Sequence, residues 1–376
     1  MRRPRALIGI MQPPPPPGSR GRRRALFAVL AILLSLLATA VIGEGALRLA
    51  GYSPSNVNPL KSFHEFDPVI GWRGRKLYTA RFNRPDFDVL VAQNAAGFRR
   101  QENLDAKLDK APHRIFVFGD SFVWGWGVGQ GEVFTDKMNL LLPNYSVNNY
   151  GINGVGTVVE YELFRTEVSK LVRPDDVVIV MFCNNDFADN VDRSKLHAEA
   201  ANAEVKTFNP AKPLTTPLAD WFKNHSYLCN FVWFRADLYR LTRVNRKQED
   251  EVLRNTMTET DERFIVVRHF LAKFQADCEA AKARFILVHI PTQEEFSESR
   301  TKRPNLLANE KVRGETLFSI ARALHIETFD LLPGFLARKN KTDARLTFPN
   351  DGHWNSTGHQ AVAELLSEYL SSQPAK

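Results

Sequence analysis

The sequence has little cysteine, and its positive charge is confined to one end. Its three cysteines can form one disulfide at most, which excludes a small scaffold held together by disulfides. Residues 1–24 contain seven arginines and no acidic residue, and without these arginines the formal net charge falls from +8 to about +1. Because the basic character belongs to the N-terminal tail, we expect no nucleic-acid partner.

No charged residue occurs between positions 25 and 43. This run of nineteen residues is close to the ~20 apolar residues with which a helix crosses a bilayer. The arginines in front of it predict that the N-terminus stays in the cytoplasm. We therefore predict a basic, proline-rich cytoplasmic tail over residues 1–24 and a transmembrane signal-anchor helix over residues 25–49. The rest of the chain would then lie in the periplasm, attached to the cell inner membrane.

A cleavable signal peptide is an alternative for the same segment. Ala38-Thr-Ala40 resembles the small-residue site at which signal peptides are cleaved. However, the basic region in front of the segment is long, and apolar character resumes at Ala46 and Leu47. These features favour an uncleaved anchor. The arginine cluster also disfavours a third interpretation, a buried helix of a soluble domain.

Short apolar strands alternate with amphipathic helices after residue 112. The pattern predicts strands over residues 114–118, 145–150, 177–182, 285–290 and 326–329. It predicts helices over residues 134–142, 157–171, 262–282 and 358–369. Repeated strand–helix units favour an α/β fold, namely a three-layer α/β/α sandwich around a mostly parallel central sheet.

Two stretches do not follow this alternation. Residues 50–111 are predicted to be an irregular lead-in without a candidate catalytic residue, and their most regular segment is an edge strand or hairpin arm at Phe87–Val91. Within the domain predicted over residues 112–376, residues 187–262 are predicted to be a helical insertion, whose residues 188–217 have few large apolar side chains and are predicted to form an excursion on the surface. The insertion could pack on the main domain, cover a functional site or lie against the membrane.

The strand over residues 114–118 is followed by Gly119-Asp-Ser121. A glycine lets the backbone turn sharply, and the next residues are then presented at the carboxyl end of the strand. Ligands of open α/β sheets bind at that edge, where a serine can be a nucleophile if a base and oxyanion donors converge on it. The tripeptide is also a common turn composition, so its meaning depends on residues further along the chain.

A candidate base lies just before the last predicted helix. Asp351 and His353 are two residues apart in a glycine-containing loop, where a carboxylate can turn back to accept the imidazole Nδ1–H. A histidine in such a loop is suited to proton transfer. The alternative is that Asp351 or Asn355 only caps the helix. His289 and His359 are predicted to be structural residues of a strand and a helix.

Four stretches of the chain resemble, in order, the motifs of the SGNH, or GDSL-type, hydrolase family. They are Gly119-Asp-Ser-Phe122, Gly151-Ile-Asn-Gly154, Asn185-Asp186 and Asp351-Gly-His353. The resemblance covers roughly residues 112–372, and its specificity lies in the set rather than in any one motif. It implies a flavodoxin-like α/β/α sandwich that works with no cofactor and no metal.

The resemblance also assigns roles. Ser121 would be the nucleophile, His353 the base and acid, and Asp351 the residue that orients the imidazole. The backbone N–H groups of Ser121 and Gly154 and the side-chain amide of Asn185 would form the oxyanion hole. Gly154 is preferred over the other glycines of its loop because it lies in mid-loop, where its N–H can point into the cleft and a missing Cβ allows close approach.

The chain departs from the family pattern at three places. Phe122 replaces the leucine of the name motif, which is a conservative apolar change. The acid precedes the histidine by two residues, whereas three is the commoner spacing in the family. A spacing of two is similar to that of some envelope-polysaccharide acyltransferase relatives. Cys183-Asn184 replaces the small residues that often precede the asparagine, which puts the shape of the acyl pocket in doubt more than the chemistry.

These features together predict a serine esterase that acts on an extracytoplasmic acyl ester. The same residues would serve an O-acetyltransferase that modifies a cell-envelope glycan. An alternative from another class is a glycan-binding or assembly protein that keeps the fold without turnover. The expected partners are the acyl-ester substrate, with an acylated glycan as one option, and the membrane through the N-terminal helix. A transferase would also need a membrane partner that delivers the acyl group.

Overall fold

The computed structural model begins with a long helix, α1 (Ser19–Leu49). An apolar window within Arg23–Leu49 has a mean hydropathy of 2.8, and 0% of it is buried inside the protein. By length and composition this helix can cross a membrane, and a signal sequence would have the same properties. The structure describes residues 19–52, 63–84, 86–99, 111–193, 195–199, 204–206, 218, 221–222, 225–236, 239, 257–296, 304–342 and 344–372.

Strands and helices alternate through most of the remaining chain. The strands are β1 (His64–Asp67), β2 (Gly71–Gly74), β3 (Thr79–Arg84), β4 (Phe87–Ala92), β5 (His113–Gly119), β6 (Tyr145–Gly151), β7 (Val177–Cys183), β8 (His197–Glu199), β9 (Glu204–Lys206), β10 (Arg284–Ile290) and β11 (Glu327–Asp330). The helices after α1 are α2 (Ser121–Trp124), α3 (Phe134–Leu141), α4 (Thr157–Leu163), α5 (Asp186–Asp189), α6 (Glu262–Ala280), α7 (Gln293–Phe296), α8 (Pro304–Ala323), α9 (Leu332–Thr342) and α10 (Ser356–Ser372). The chain after α4 continues as a π-helical and then a 3₁₀ turn to Leu171, the predicted end of that helix.

Five parallel strands form the central sheet in the order β11–β10–β7–β5–β6. Counted along the chain from β5, this is the order 2-1-3-4-5 of flavodoxin-like folds. The predicted parallel sheet is therefore confirmed. The strand order reverses between β5 and β7, and ligands of such sheets bind at the carboxyl ends of the strands beside this reversal.

Helices cover both faces of the sheet. Ile115 and Val117 of β5 belong to the core that contains side chains of α3, α9 and α10. Phe116 and Phe118 point the other way, into the core that contains side chains of α4, α6 and α8. Because side chains of a strand alternate between faces, a strand covered on both sides is apolar throughout. The predicted three-layer α/β/α sandwich is confirmed.

The segment before β5 is more regular than the lead-in predicted from the sequence, although the hairpin arm predicted at Phe87–Val91 is confirmed as β4. It contains two antiparallel hairpins, β1–β2 and β3–β4. Phe63 and Phe82 are 0% exposed, and their rings lie 5.8 and 6.0 Å from the ring of Trp124. Burying a phenylalanine side chain contributes roughly 1.5–3 kcal/mol. The hairpins are thus stabilised by contacts with distant residues, which local sequence patterns do not reveal.

The insertion is described only in part. The short hairpin β8–β9 differs from the surface excursion predicted for this stretch, because Leu196 and Ala198 are buried in the core of the α4–α6 face. Residues 227–236 are helical, as predicted, and contact the C-terminal end of α1. There the Glu44 carboxylate accepts the backbone N–H groups of Tyr227 and Leu228, at 3.1 and 2.9 Å. Several parts of the predicted insertion, including Leu238 and residues 207–217 and 240–256, lie outside the described residues.

Candidate active site

The turn after β5 places Ser121 at the carboxyl edge of the sheet. A Cβ on Gly119 would lie 2.4 Å from Val123 Cγ2 and 3.2 Å from the carbonyl oxygen of Met181, so a side chain cannot fit there. Asp120 then caps α2, its carboxylate accepting the Phe122 N–H at 2.9 Å. Ser121 is the first residue of that helix and keeps 9% of its surface exposed.

Ser121, His353 and Asp351 form a hydrogen-bonded line. Ser121 Oγ lies 2.7 Å from His353 Nε2, and His353 Nδ1 makes a very short contact with Asp351 Oδ1. The same oxygen accepts the backbone N–H of His353 at 2.9 Å. If Nδ1 carries the proton toward Asp351, Nε2 is free to accept the serine proton, which is the tautomer that a general base requires.

The carboxyl group of Asp351 is set up to remain ionised. Its partial burial opposes ionisation, but hydrogen bonds from His353 and Trp126 outweigh burial and hold the pKa of Asp351 below its usual range. The alternative role of a helix cap is taken by Asn355, whose side-chain oxygen accepts the N–H of Gly358 at 3.0 Å in the first turn of α10. Asp351 is therefore available to the imidazole.

Trp126 is a member of this site that the sequence analysis missed. Its indole N–H donates to Asp351 Oδ2 at 2.9 Å, and its ring stacks on the imidazole of His353 with 4.8 Å between centroids and 17° between planes. Phe122 contacts the same imidazole, also at 4.8 Å. The position of the imidazole is thus fixed by two aromatic rings. The available signal was two tryptophans, Trp124 and Trp126, directly after the Gly-Asp-Ser motif.

Replacing Trp126 with phenylalanine tests the indole hydrogen bond. Trp126→Phe keeps an aromatic ring on His353 but removes the donor to Asp351, so we expect kcat to fall by about tenfold, since one hydrogen bond to a charged group contributes roughly 1.5–3 kcal/mol. Trp126→Ala should lose more activity because the stacking is lost as well. Steady-state kinetics on an aryl acetate measures both. Equal activity of Trp126→Phe and the wild type would contradict the role.

The predicted oxyanion residues lie around the end of β7 and the loop after β6. The Asn185 side-chain amide donates to Asp189 Oδ2 at 3.1 Å and more weakly to Asp120 Oδ2 at 3.4 Å, which places it beside the residue that precedes Ser121. Gly154 has a φ of +70°, and a Cβ there would have no neighbour within 4 Å. Its surroundings are therefore open to a ligand.

The other two glycines of this loop have packing roles. A Cβ on Gly151 would lie 2.3 Å from the backbone nitrogen of Trp124, and a Cβ on Gly156 would lie 2.6 Å from Asn190 Oδ1. Both are required because the backbone approaches its neighbours closely. Of the three glycines, Gly154 is the one that faces open space. This agrees with the prediction that a substrate approaches the backbone closely at Gly154.

Three buried carboxyl groups lie behind these residues. Asp120, Glu160 and Asp186 are 2%, 1% and 0% exposed. Among the described residues, neither carboxyl oxygen of Glu160 has a hydrogen-bond partner, and only one of Asp186 has one. Burial raises the pKa of Glu160 and of Asp186 well above the usual range, and the nearby Asp120 raises both pKa values further. When these carboxyl groups are protonated and neutral, no unpaired charge is buried here. A buried negative charge would also oppose an oxyanion that forms nearby.

The raised pKa of Glu160 gives stability a defined pH dependence. Below the pKa of the unfolded state, ~4.3, Glu160 is protonated in both the folded and the unfolded state. Above that pH only the unfolded state ionises readily, so the folded state is progressively destabilised. Glu160→Gln removes this effect. Relative to the wild type, its free energy of unfolding should rise between about pH 4 and pH 8, by ~1.4 kcal/mol for each pH unit over which only the unfolded state ionises, and its Tm should rise with it.

Thermal unfolding at the two pH values measures this difference. The matched control is Glu368→Gln, which replaces an exposed glutamate on α10 and should give the same offset from the wild type at both pH values. An offset for Glu160→Gln that does not change with pH would contradict the protonated state of Glu160.

The lead-in supports both loops of the site, although no candidate catalytic residue lies in it. Arg99, 1% exposed, donates to the carbonyl oxygens of Gly125 and Val128 at 2.6 and 2.9 Å, on either side of Trp126. Asp86 accepts the backbone and side-chain N–H groups of Asn350, next to Asp351, at 2.8 and 2.6 Å. The loops that carry the indole and the carboxylate are thus held by residues outside the sandwich.

The remaining histidine candidates are structural, as predicted. His359 is 1% exposed and accepts the Phe134 N–H at 3.3 Å, and burial lowers the pKa of His359 to about 3. His289 is 2% exposed and pairs with Asp330 at 3.0 Å. Within the described ranges, no group of three or more histidine, cysteine or acidic side chains is arranged to hold a metal ion.

A family profile and several solved structures are similar to this chain. The profile of the GDSL-like lipase/acylhydrolase family matches residues 117–361, well over half of the chain. No curated protein sequence matches the chain. Among solved structures, the chain is similar to a member of the lipolytic protein G-D-S-L family from Veillonella parvula DSM 2008, with 15% identity and a TM-score of 0.40 over 69% of this chain and 100% of that chain.

Two further solved structures are similar to the same extent. An acetyl xylan esterase has 14% identity and a TM-score of 0.41 over 68% of this chain and 99% of its own. A lipase/acylhydrolase from Enterococcus faecalis has 12% identity and a TM-score of 0.39 over 70% of this chain and 98% of its own. The family match begins inside β5, ends inside α10 and includes every candidate site residue. The chain therefore belongs to the GDSL-like lipase/acylhydrolase family and is an ester-hydrolysing enzyme.

Proposed function

We propose that the protein is a serine esterase in which Ser121, His353 and Asp351 act as a catalytic triad. The observation that carries this proposal is the 2.7 Å hydrogen bond between Ser121 Oγ and His353 Nε2, with Asp351 on the other side of the imidazole. A serine hydroxyl is a weak nucleophile unless a base takes its proton as it attacks. A hydrogen bond of this length is within the reach that a general base needs, which supports the proposal.

The reaction proceeds in two halves. Ser121 Oγ attacks the acyl carbon while its proton passes to His353 Nε2, and Asp351 stabilises the imidazolium. The tetrahedral intermediate collapses, the alcohol leaves with the proton from His353, and the acyl group remains on Ser121. Water, deprotonated by His353, then attacks the acyl-enzyme and releases the carboxylic acid and the free serine.

The oxyanion hole would consist of the backbone N–H groups of Ser121 and Gly154 and the side-chain amide of Asn185. Donors of this kind act where negative charge develops on the carbonyl oxygen. In the free protein the Asn185 amide donates to Asp189 and Asp120, the second at a long 3.4 Å. An oxyanion would replace the weaker of these acceptors.

Turnover assays on the purified full-length protein in detergent test this function. Aryl acetates should be hydrolysed, and the acid should be released without a glycan. Faster loss of the aryl ester in the presence of a glycan acceptor, with acyl groups appearing on the glycan, would identify the O-acetyltransferase instead. No turnover of any ester by folded protein would favour a glycan-binding or assembly protein.

We further propose that α1 is an uncleaved anchor with the catalytic domain in the periplasm. The apolar window of α1 is exposed along its length, as expected of a helix that contacts lipid. In the part of the insertion that contacts its C-terminal end, Trp221 and Trp233 are 53% and 37% exposed. Exposed aromatic residues next to a membrane helix are typical of the bilayer interface.

Fractionation and protease protection test the topology. We expect the protein to stay with membranes after a carbonate wash, because a spanning helix is not released at high pH. Protease added to spheroplasts should degrade the catalytic domain and spare a tag fused ahead of Met1. A mature N-terminus near Val41 would establish a cleaved signal peptide instead. A catalytic domain protected in intact spheroplasts would contradict the orientation.

A further inference from the structure

A cavity of about 230 Å³ opens beside the glycine loop. The β1–β2 hairpin contributes Ile70 and Trp72, the glycine loop contributes Asn153 and Gly154, and the stretch after α5 contributes Leu196. One wall therefore comes from the lead-in, which precedes the part of the chain that matches the family profile. This wall is a feature of this chain's own N-terminal segment.

The cavity adjoins the proposed oxyanion hole. Gly154 lines it, and so does Asp189, whose carboxylate accepts the hydrogen bond from the Asn185 amide. The Gly154 N–H, one proposed oxyanion donor, is thus at the border of the cavity. The Asn185 amide, a second donor, is one hydrogen bond away from it. A ligand in the cavity would therefore lie next to the proposed oxyanion hole.

The cavity contains a buried acceptor without a donor. Asn153 is 9% exposed, and its side-chain nitrogen contacts His64 Nε2 at 3.3 Å. Its side-chain oxygen has no hydrogen-bond partner in the part of the chain that the structure describes. A buried unpaired carbonyl costs roughly 1–3 kcal/mol. An alkyl chain in the cavity would leave that oxygen unpaired, whereas a hydroxyl group would donate to it.

The rest of the lining combines apolar and charged groups. The Trp72 indole provides an aromatic surface, and the negative face of such a ring attracts weakly positive C–H groups. Lys195 Nζ and Asp189 Oδ1 form an ion pair of 2.7 Å that also lines the cavity. Donors and acceptors placed around an aromatic surface suit a ring with an apolar face and a polar edge.

We propose that this cavity binds a sugar ring of the substrate, with Trp72 against the face of the ring and Asn153 accepting from a ring hydroxyl. The inference rests on the proposed esterase function and names its substrate class: an acylated carbohydrate rather than a lipid or a simple ester. The ring held by the lead-in would position the ester at Ser121. Trp72 and Asn153 are then specificity residues, and neither takes part in bond making.

The test compares two esters on the full-length protein in detergent. Acetylated xylotriose carries sugar rings, and 4-nitrophenyl acetate does not. We expect Trp72→Ala to lower the ratio of the two kcat/KM values, sugar ester over aryl ester, by tenfold or more. Asn153→Leu should lower it by about threefold to tenfold, since one hydrogen bond is lost. The conservative variants Trp72→Phe and Asn153→Asp should keep most of the ratio.

The controls separate this effect from general damage. Trp221→Ala removes an exposed tryptophan beside α1 and should leave the ratio unchanged. An unchanged ratio in Trp72→Ala would overturn the proposal while leaving the esterase function intact. The proposal would also be overturned if Trp72→Ala changed only the preference among acetyl, butyryl and octanoyl aryl esters. That result would identify the cavity as an acyl pocket.

A binding measurement keeps the two proposals separate if turnover is absent. Saturation-transfer NMR on the full-length Ser121→Ala protein would use a panel of neutral, acidic and N-acetylated tetrasaccharides. We expect at least one of them to bind, and its signal to be lost when Trp72→Ala is added. Absence of binding by every sugar, or binding that survives Trp72→Ala, would overturn the sugar site whatever the esterase assays give.

Discussion

Ser121→Ala is expected to abolish ester turnover, with a loss of on the order of 10⁴ or more in kcat. Without the hydroxyl there is no nucleophile for His353 to activate, and the loss of a triad member typically has this effect. Folding should be preserved, because Ser121 begins a short helix at the sheet edge and its side chain bonds only to the imidazole among the contacts described for it. Burst and steady-state kinetics on an aryl acetate measure the effect.

The matched control is Ser169→Ala. Ser169 is half-buried near the surface, and its hydroxyl donates to the carbonyl oxygen of Arg165 in the same helical segment, in a hydrogen bond that is exposed to solvent. This variant should keep turnover within about twofold of the wild type, since surface substitutions usually change stability by less than 0.5 kcal/mol. Near-normal turnover by Ser121→Ala in a preparation free of other esterases would show that another residue is the nucleophile.

Asn185→Ala is expected to lower kcat by ~10²–10³ with little change in KM. The amide would bind charge that develops only in the transition state, so its loss should leave binding of the neutral ester almost unaffected. The same aryl acetate kinetics separates the two constants. A rise in KM alone would place Asn185 in substrate binding instead.

The neighbouring Asn184 provides a control of the same residue type. Asn184 is 1% exposed and donates to the carboxylate of Glu310 at 2.7 Å, so its side chain serves packing between β7 and α8. Asn184→Ala should destabilise the fold by roughly 1–3 kcal/mol, while the turnover of the folded fraction changes far less than in Asn185→Ala. Equal losses of kcat in the two variants would contradict the distinction.

The buried carboxyl groups explain why the Asp of Gly119-Asp-Ser121 is more than a turn residue. Asp120 caps α2 and also accepts from the Asn185 amide, so one carboxyl group contacts both the nucleophile turn and a proposed oxyanion donor. Burial raises the pKa of Asp120, and Asp120 in turn raises the pKa of Glu160. The electrostatic environment of the site is therefore shared by residues from three separate stretches of the chain.

The sequence by itself was sufficient to predict the sandwich and its sheet. The strand β7 is the clearest example, because a run of apolar residues with no charge is required wherever both faces of a strand are covered. Ser121 and His353 could be named because a turn glycine, an acid and a loop histidine leave local patterns at the ends of elements. Such patterns are local, so they can be recognised without knowing which residues pack around them.

The tertiary structure decided what depends on residues distant in the chain. The lead-in hairpins form because Phe63 and Phe82 pack on Trp124, and their own sequence gives only a weak strand pattern. Helices α8 and α9 were not predicted either, since they bury their apolar residues against strands and helices far away in sequence. Trp126 joins the site only because the fold places its indole on His353, 227 positions later. Packing contacts of this kind are fixed by the whole chain, so no single stretch of sequence contains them.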